Sequence, residues 1–288
     1  MLVQKEEIIR LEYTTAKIRK RLLEVVYNAK IGHIGGGLSA LNMLTALYFH
    51  TLNVDPKHPK KEGRDRFIMS KGHCVEALYC VLEERGFISS ELLNTYGKYN
   101  SPLAGHPVSK IPGIEVNTGA LGHGLSIGVG LAFAAKMDHK NYKTFVLMGD
   151  GEQGEGSIYE AAMAASHYQL DNLVAIIDRN GLQISDQTEN VMSLESIEKR
   201  WQALGWDVAD IDGNNMVQIV QSLDAINYRN NSPHLIISRT TKGKGIRQME
   251  NNLKWHHGIP QKEEYEQFLA ELEENIEKFH EPLIPHSQ

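Results

Sequence analysis

The sequence is poor in cysteine, and Cys74 and Cys80 are the only two among its 288 residues. Two cysteines six positions apart in a predicted helix suit neither a disulfide framework nor a metal-binding spacing, so we expect two buried thiols. No run of about eighteen consecutive apolar residues occurs, so no segment is expected to span a bilayer. The first ten residues carry Glu6 and Glu7 and lack the basic start and apolar core of a signal peptide. The sequence therefore predicts a cytoplasmic protein.

An excess of basic charge is also absent. The 30 basic and 36 acidic residues give a net charge of −6 at pH 7, which offers no footprint for nucleic acid or an anionic membrane. Internal repeats and linkers rich in proline, glycine or serine are lacking too, which favours one domain. A composition that is 41% apolar suffices for a buried core. Because Ala/Gly-rich and Val/Ile-rich runs alternate, we predict the α/β class, with a parallel β-sheet flanked by helices.

The most informative segment begins at Gly149-Asp150-Gly151 and ends at Asn180. An apolar run precedes the first glycine, an alanine-rich segment with helical spacing follows it, and a second apolar run ends at Asp178. This pattern predicts a β-α-β unit in which Asp150 and Asn180 both follow strands. Their oxygens suit a hard divalent cation that bridges a diphosphate, and the flanking glycines let backbone N–H groups approach the phosphates. An isolated Asp-Gly pair usually makes only a turn, but the context of this one favours the site.

The remaining predicted elements surround this unit. We expect a helix over residues 6–29, then a loop that holds His33 and Gly35, Gly36 and Gly37, and a second helix near residues 41–49. Further elements are strands at residues 67–69, 208–211 and 235–238, a small-residue helix within 119–135, a helix over 216–228 and an exposed amphipathic helix over 263–279. We divide the chain into a diphosphate- and metal-binding domain over residues 1–262 and a C-terminal helical extension over residues 263–288.

Short motifs occur along much of the chain, from about Thr15 to Pro260. They are Lys30–His33, Asp65–His73, Gly105-His106-Pro107, Thr118–Gly122, the Gly149–Gly151 segment and His257-Gly258. In order and spacing this set resembles the thiamine diphosphate enzymes, and specifically the amino-terminal, cofactor-binding half of transketolase. The resemblance implies thiamine diphosphate as cofactor, held with Mg²⁺ or Ca²⁺.

The resemblance also implies roles for individual residues. Asp150, Asn180 and the backbone carbonyl of Leu182 would bind the metal, and Gly151 would donate a backbone N–H to the diphosphate. Gly119 and Leu121 would meet the aminopyrimidine ring. We expect Asp150→Ala to abolish metal and cofactor binding and to leave the fold intact, since the residue follows a strand. For Leu182 the alternative is an ordinary apolar loop residue, and for the two small-residue positions it is close packing.

Four histidines and one glutamate complete the predicted site. His73 and His257 would lie near the cofactor, while His33 and His106 would face the sugar and move protons on its hydroxyls. Glu155 matches a family glutamate at the subunit interface, near the carboxylate that activates the cofactor. The alternatives are a solvated histidine in each case and a glutamate favoured at a helix start by the helix dipole. Lys242 and Lys244 are expected in a solvated turn, with a phosphate contact as the alternative, and His123 is assigned no role.

Full-length members of the resembled family carry a second domain that binds the pyrimidine ring and supplies the activating carboxylate. This chain ends before any such domain, so the resemblance implies a split transketolase. A separate chain would carry the pyrimidine-binding domain, in an α2β2 heterotetramer that transfers a two-carbon ketol unit from a ketose phosphate to an aldose phosphate. Two alternatives stay open: a subunit of another thiamine diphosphate enzyme, similar to deoxyxylulose-phosphate synthase, and a noncatalytic regulator that binds the cofactor.

Overall fold

A parallel β-sheet forms the centre of the molecule, and the computed structural model describes residues 5–280. The sheet has five strands in the order β1-β2-β3-β5-β4, and each neighbouring pair is parallel. The strands are β1 (Arg66–Met69), β2 (Thr144–Gly149), β3 (Leu173–Arg179), β4 (Asp207–Asp212) and β5 (His234–Arg239). The predicted α/β class with a parallel sheet is confirmed.

Helices lie on both faces of the sheet. They are α1 (Lys5–Ala29), α2 (Ile34–Ala46), α3 (Val75–Arg85), α4 (Ser90–Leu93), α5 (His123–Met137), α6 (Gly156–His167), α7 (Thr188–Val191), α8 (Ile197–Ala203), α9 (Met216–Asp224) and α10 (Lys262–His280). Short 3₁₀ turns at Gly72–Cys74, Gly151–Gly154 and Leu253–His256 connect some of them. Among the described residues, no helix is both long enough and apolar enough to cross a membrane.

The alternation of side chains along β2 explains why both faces are covered. Phe145 and Leu147 pack into a cluster with residues of α1, α2, α3 and α9, while Val146 and Met148 pack with residues of α5, α6 and α8. Successive strand side chains point to opposite faces, so a strand that is apolar at every position needs helices on both sides. Burying one such side chain stabilises the fold by about 1.5–3 kcal/mol.

Two predictions about local structure have opposite outcomes. Cys74 and Cys80 are both fully buried, as predicted. The loop expected around the glycine triplet is wrong, because α2 begins at Ile34 and the glycines are helical. Close packing is the reason: a Cβ at Gly35 would lie 2.7 Å from the Trp255 carbonyl oxygen, and one at Gly36 would lie 2.7 Å from Cys74 Sγ.

The amphipathic helix expected near the C-terminus is present as α10. It buries Phe268 and Leu272 and stacks Tyr265 on Tyr27 of α1 with ring centroids 3.9 Å apart. One side of the helix therefore belongs to the core instead of being fully exposed. The domain boundary at residue 262 stays a prediction, and residues 281–288 of the predicted extension lie outside the described residues.

The carboxyl ends of the strands determine where a ligand can bind. Lys71 follows β1, Asp150 follows β2, Asn180 follows β3 and Lys242 follows β5. Since all five strands are parallel, these residues meet at one edge of the sheet, where open α/β sheets form their binding crevices.

Candidate functional site

A cavity of about 440 Å³ opens at this edge of the sheet. It is lined by eight of the residues predicted for the site: His33, His73, Gly119, Leu121, Asp150, Gly151, Asn180 and Leu182. They come from separate segments of the chain, and the parallel sheet brings them together. Their chemical roles stay predictions.

Three further predicted residues lie outside the lining of the cavity. The ring of exposed His257 is 3.8 Å from the ring of His33, and exposed His106 lies against Gly119, where an added Cβ would be 2.9 Å from His106 Cδ2. Both histidines therefore stand beside the cavity. Glu155 is exposed at the N-cap of α6, next to Gly122, and is not part of the cavity wall.

Asp150 is the most firmly held side chain of the site. Its Oδ2 accepts hydrogen bonds from Gly181 N at 2.7 Å, Arg179 Nη1 at 3.1 Å and Thr188 Oγ1 at 3.2 Å. Its Oδ1 accepts one, from Gly151 N at 2.8 Å. The residue is 2% exposed, so its removal takes four hydrogen bonds from a buried position and is expected to lower stability, while survival of the fold in Asp150→Ala stays a prediction. Three donors fix the carboxylate through Oδ2, which leaves a lone pair of Oδ1 for a cation.

The other two predicted metal ligands also present oxygens to the cavity. Asn180 Oδ1 accepts from Leu182 N at 3.2 Å, and its Nδ2 donates to Asp178 Oδ2 at 3.2 Å, which fixes the orientation of the amide. The carbonyl oxygen of Leu182 accepts from Lys242 Nζ at 3.0 Å. A carboxylate, an amide oxygen and a carbonyl oxygen on one cavity form a suitable donor set for Mg²⁺ or Ca²⁺. The residues present thus fit the predicted ion, provided that Lys242 moves off the carbonyl.

A buried ion pair supports the floor of the cavity. Lys71 Nζ donates to Asp178 Oδ2 and, at 3.0 Å, to the Gly36 carbonyl. Asp178 also accepts from Ser39 Oγ at 2.7 Å and from Thr240 Oγ1. Burial penalises both charges, but their mutual attraction prevails, so the pKa of Lys71 is raised and that of Asp178 is lowered. The pair stays ionised and holds a cation beneath the site.

The lining histidines are neutral at physiological pH. Burial is the main reason, and neighbouring cationic groups add to it: the pKa is lowered to about 4 for His33, to about 2 for His73 and to about 3 for His256. A neutral imidazole donates from one nitrogen and accepts at the other. At pH 7 these rings are therefore uncharged hydrogen-bonding groups and proton acceptors. Their pKa values lie below the near-neutral pKa of a free imidazole.

Lys242 is wrongly expected in a solvated turn, since it is 2% exposed and lines the cavity. Burial and the nearby Lys71 charge lower its pKa to about 8. Besides the Leu182 carbonyl it contacts His256 Nδ1 at 2.7 Å. Lys244 follows the prediction more closely, because it is partly exposed and pairs with Glu250 at 3.2 Å.

The sequence argument missed several groups of the site. Besides Lys71, Asp178 and His256, it missed Glu152, which is buried beside the glycines and accepts backbone bonds from Gly122 at 2.8 Å and Gly149 at 3.0 Å. Lys71 and Asp178 could have been found from the sequence, because each is a charged residue at or just after the end of a predicted strand. His256 offered only its place next to His257.

Known proteins match the chain over most of its length. Residues 12–280 match the family described as transketolase, thiamine diphosphate binding domain. The chain is 63% identical over 268 residues to an apulose-4-phosphate transketolase subunit of Phocaeicola vulgatus, covering 93% of this chain and 95% of that protein. It is 44% identical over 266 residues to the subunit of the same name from Actinobacillus succinogenes, covering 92% of this chain and 96% of that one.

A solved transketolase structure has the same fold as this chain, but the chain covers a smaller share of it than of the two subunits. The R525L mutant of transketolase from Pichia stipitis superposes with a TM-score of 0.84 at 27% identity, covering 94% of this chain and 44% of that chain. The chain thus spans less than half of that solved protein but nearly all of the two subunits.

Proposed function

We propose that this chain, which belongs to the transketolase family and matches its thiamine diphosphate-binding domain, works as one half of a two-chain transketolase. The support is the difference in coverage: the chain matches 95% of a protein named as a transketolase subunit and 44% of a solved transketolase chain. The other half is a separate polypeptide with the pyrimidine-binding domain, and two copies of each form an α2β2 heterotetramer. The comparisons favour this function over the deoxyxylulose-phosphate synthase and regulatory alternatives.

The reaction that we propose is the transfer of a two-carbon ketol unit from a ketose phosphate to an aldose phosphate. Apulose 4-phosphate is the first ketose phosphate to test, because two relatives at 63% and 44% identity are named for it. Thiamine diphosphate, when bound, supplies the carbanion chemistry, and the protein supplies placement and electrostatics.

The single observation that carries the proposal is the convergence of cation-binding oxygens and hydrogen-bond donors on one cavity. Asp150 Oδ1, Asn180 Oδ1 and the Leu182 carbonyl would hold Mg²⁺ or Ca²⁺ against the diphosphate. The Gly151 N–H and the Lys242 ammonium would donate to its oxygens. To do so, the N–H would leave Asp150 Oδ1 and the lysine would leave the Leu182 carbonyl. Gly119 and Leu121 would bound the aminopyrimidine ring.

The histidines would serve the sugar and the cofactor separately. His73, which lies deep in the cavity, and His257 would orient the cofactor. His33, neutral at pH 7, would accept a proton from a sugar hydroxyl, and exposed His106 would hold or move a proton at the mouth of the cavity. Glu155, exposed beside Gly122, would act at the subunit interface.

Reconstitution tests this function. The chain is purified alone and together with the transketolase subunit encoded beside it, and ketol transfer is measured with thiamine diphosphate, Mg²⁺ and a panel of ketose and aldose phosphates. We expect turnover only from the mixture, with apulose 4-phosphate among the substrates. Robust turnover by the purified single chain would refute the two-chain interpretation, and a mixture inactive on apulose 4-phosphate but active on other ketose phosphates would refute the substrate alone.

A further inference from the structure

Among the described residues, no cation pairs with the buried carboxyl group of Glu76. It lies in the first turn of α3, a helix that packs against α1 and α2, and is 1% exposed. Its Oε1 accepts from Tyr96 Oη at 2.8 Å and from His33 N at 3.3 Å. Its Oε2 has no hydrogen-bond partner among the described residues. Burying such a group costs free energy whether it is charged or neutral, so its presence calls for a physical reason.

The contact with His33 supplies that reason. His33 immediately precedes α2, and its backbone N–H donates to the Glu76 carboxyl at 3.3 Å. The preceding residue, Gly32, has φ +145° and leaves no room for a side chain, because an added Cβ would lie 2.9 Å from Glu76 Oε1. The chain therefore bends closely around the carboxyl just before the His33 ring enters the cavity.

We propose that Glu76 is a positioning residue that fixes the His33 imidazole for its work on the sugar and does so only when its carboxyl is ionised. This inference rests on the proposed function, since it takes the role of His33 from there. An ionised acceptor makes hydrogen bonds about twice as strong as a neutral one. Protonation weakens the hold on His33 N–H and places a proton on a carboxyl whose second oxygen has no hydrogen-bond partner among the described residues.

The surroundings bring this change to physiological pH. Burial raises the pKa of Glu76 to about 7, although the hydrogen bonds from Tyr96 and His33 N–H oppose the rise. The titratable groups that feel its charge are Tyr96, Tyr79, Cys74 and Cys80, and burial raises the pKa of each. All four are thus neutral near pH 7, and no cation among the described residues compensates Glu76. Raising the pH through 7 therefore ionises Glu76 and secures His33.

The first experiment follows the contact without using activity. In the full chain alone, the amide ¹⁵N–¹H shift of His33 is recorded by NMR from pH 5.5 to 8.5 in the wild type, in Glu76→Gln and in the exposed-carboxylate control Glu91→Gln. We expect a titration with a midpoint near 7 in the wild type and the control, and a flat response in Glu76→Gln. A flat wild-type response, or one that survives in Glu76→Gln, overturns the inference even if the proposed function holds.

The second experiment measures the consequence in the two-chain enzyme. Wild-type kcat/KM for the ketose phosphate should rise with an apparent pKa near 7, whereas Glu76→Gln should lack that rise. At pH 8 the variant should be about tenfold slower, below the roughly 10²-fold that a misplacement of about 1 Å can cost. The affinity for thiamine diphosphate should stay as in the wild type, since the contact is with His33. An unchanged pH profile in Glu76→Gln overturns the positioning role, whereas an inactive two-chain wild type counts against the proposed function and leaves the NMR result to decide the contact.

A second variant keeps the test decisive if Glu76→Gln does not fold. Tyr96→Phe removes a hydrogen bond that lowers the Glu76 pKa. The midpoint of the His33 amide titration should therefore move to higher pH. A midpoint that stays in place or moves to lower pH contradicts the inference.

Discussion

Replacing Asp150 separates the structural role of this carboxylate from its predicted role as a metal ligand. The side chain accepts four hydrogen bonds from the protein itself, three of them through Oδ2. One donor is the guanidinium of Arg179, whose side chain is 7% exposed. Asp150→Ala therefore leaves a buried cation with only its more exposed partners, Glu189 and Glu195.

The size of the loss follows from these contacts. Removing one partner of a buried ion pair costs about 3–5 kcal/mol. The remaining pairs of Arg179 reduce that figure, whereas the N–H of Gly181 and the hydroxyl of Thr188 each lose an acceptor and add to it, at about 1–3 kcal/mol for a buried group. We expect the ligand-free chain to lose about 3–5 kcal/mol, a large part of the roughly 5–15 kcal/mol that folded domains possess.

Urea unfolding of the full chain in EDTA, without cofactor, measures this contribution in isolation. Asp138→Ala, an exposed aspartate at the end of α5, is the control and should unfold as the wild type does. Calorimetry at a temperature where Asp150→Ala is still folded then measures thiamine diphosphate and Mg²⁺ binding, with the partner subunit present. An Asp150→Ala chain as stable as the wild type in EDTA would refute the structural reasoning. Unchanged cofactor binding would show that the ion binds elsewhere.

Three further predictions concern the site. His106→Ala should lower kcat/KM of the two-chain enzyme for the sugar by about 10²-fold or more and leave the affinity for thiamine diphosphate unchanged. His73→Ala should weaken cofactor binding, and excess cofactor should partly restore its activity. Steady-state kinetics and calorimetry on both variants check this, and the reverse pattern would contradict the assignment. The single chain should bind thiamine diphosphate more weakly by calorimetry than the two-chain enzyme does, since the pyrimidine-binding half is on the partner; equal affinity would argue against a divided site. The raised pKa of Glu76 means that the folded state disfavours its ionised form, so wild-type stability falls as pH rises from about 4.5 to about 7. In urea unfolding, the free energy of unfolding of Glu76→Gln minus that of the wild type should increase by roughly 2–3 kcal/mol between pH 5 and pH 8. A constant difference would contradict the raised pKa.

The proximity of the two predicted metal ligands could be inferred from the sequence because it depends on short-range patterns and one rule of topology. Asp150 and Asn180 each follow an apolar run, and β2 pairs with β3 so that Gly149 lies opposite Asp178. A helix between the two runs favours a parallel connection, and parallel strands end at the same edge. Local sequence was therefore enough to place these two oxygens together.

Other parts of the site depend on contacts between distant segments, which no local pattern records. The contact of Lys71 with Asp178 joins residues 107 positions apart, and that of Lys242 with Leu182 joins residues 60 apart. The start of α2 was missed for a related reason. Glycines usually interrupt helices, but here they allow the carbonyl of Trp255 and the thiol of Cys74 to approach the helix backbone.

Glu76 lowers the stability of the fold, and its position suggests a functional reason for its presence. At neutral pH an apolar side chain in its place would avoid the cost of burying a carboxyl group. Natural sequences depart from such local rules mainly at functional sites. The departure here lies beneath the backbone of His33, a residue that lines the cavity. The buried carboxyl contacts a cavity residue, and its cost in stability grows over the pH range in which it ionises. The positioning of His33 explains this cost better than packing does.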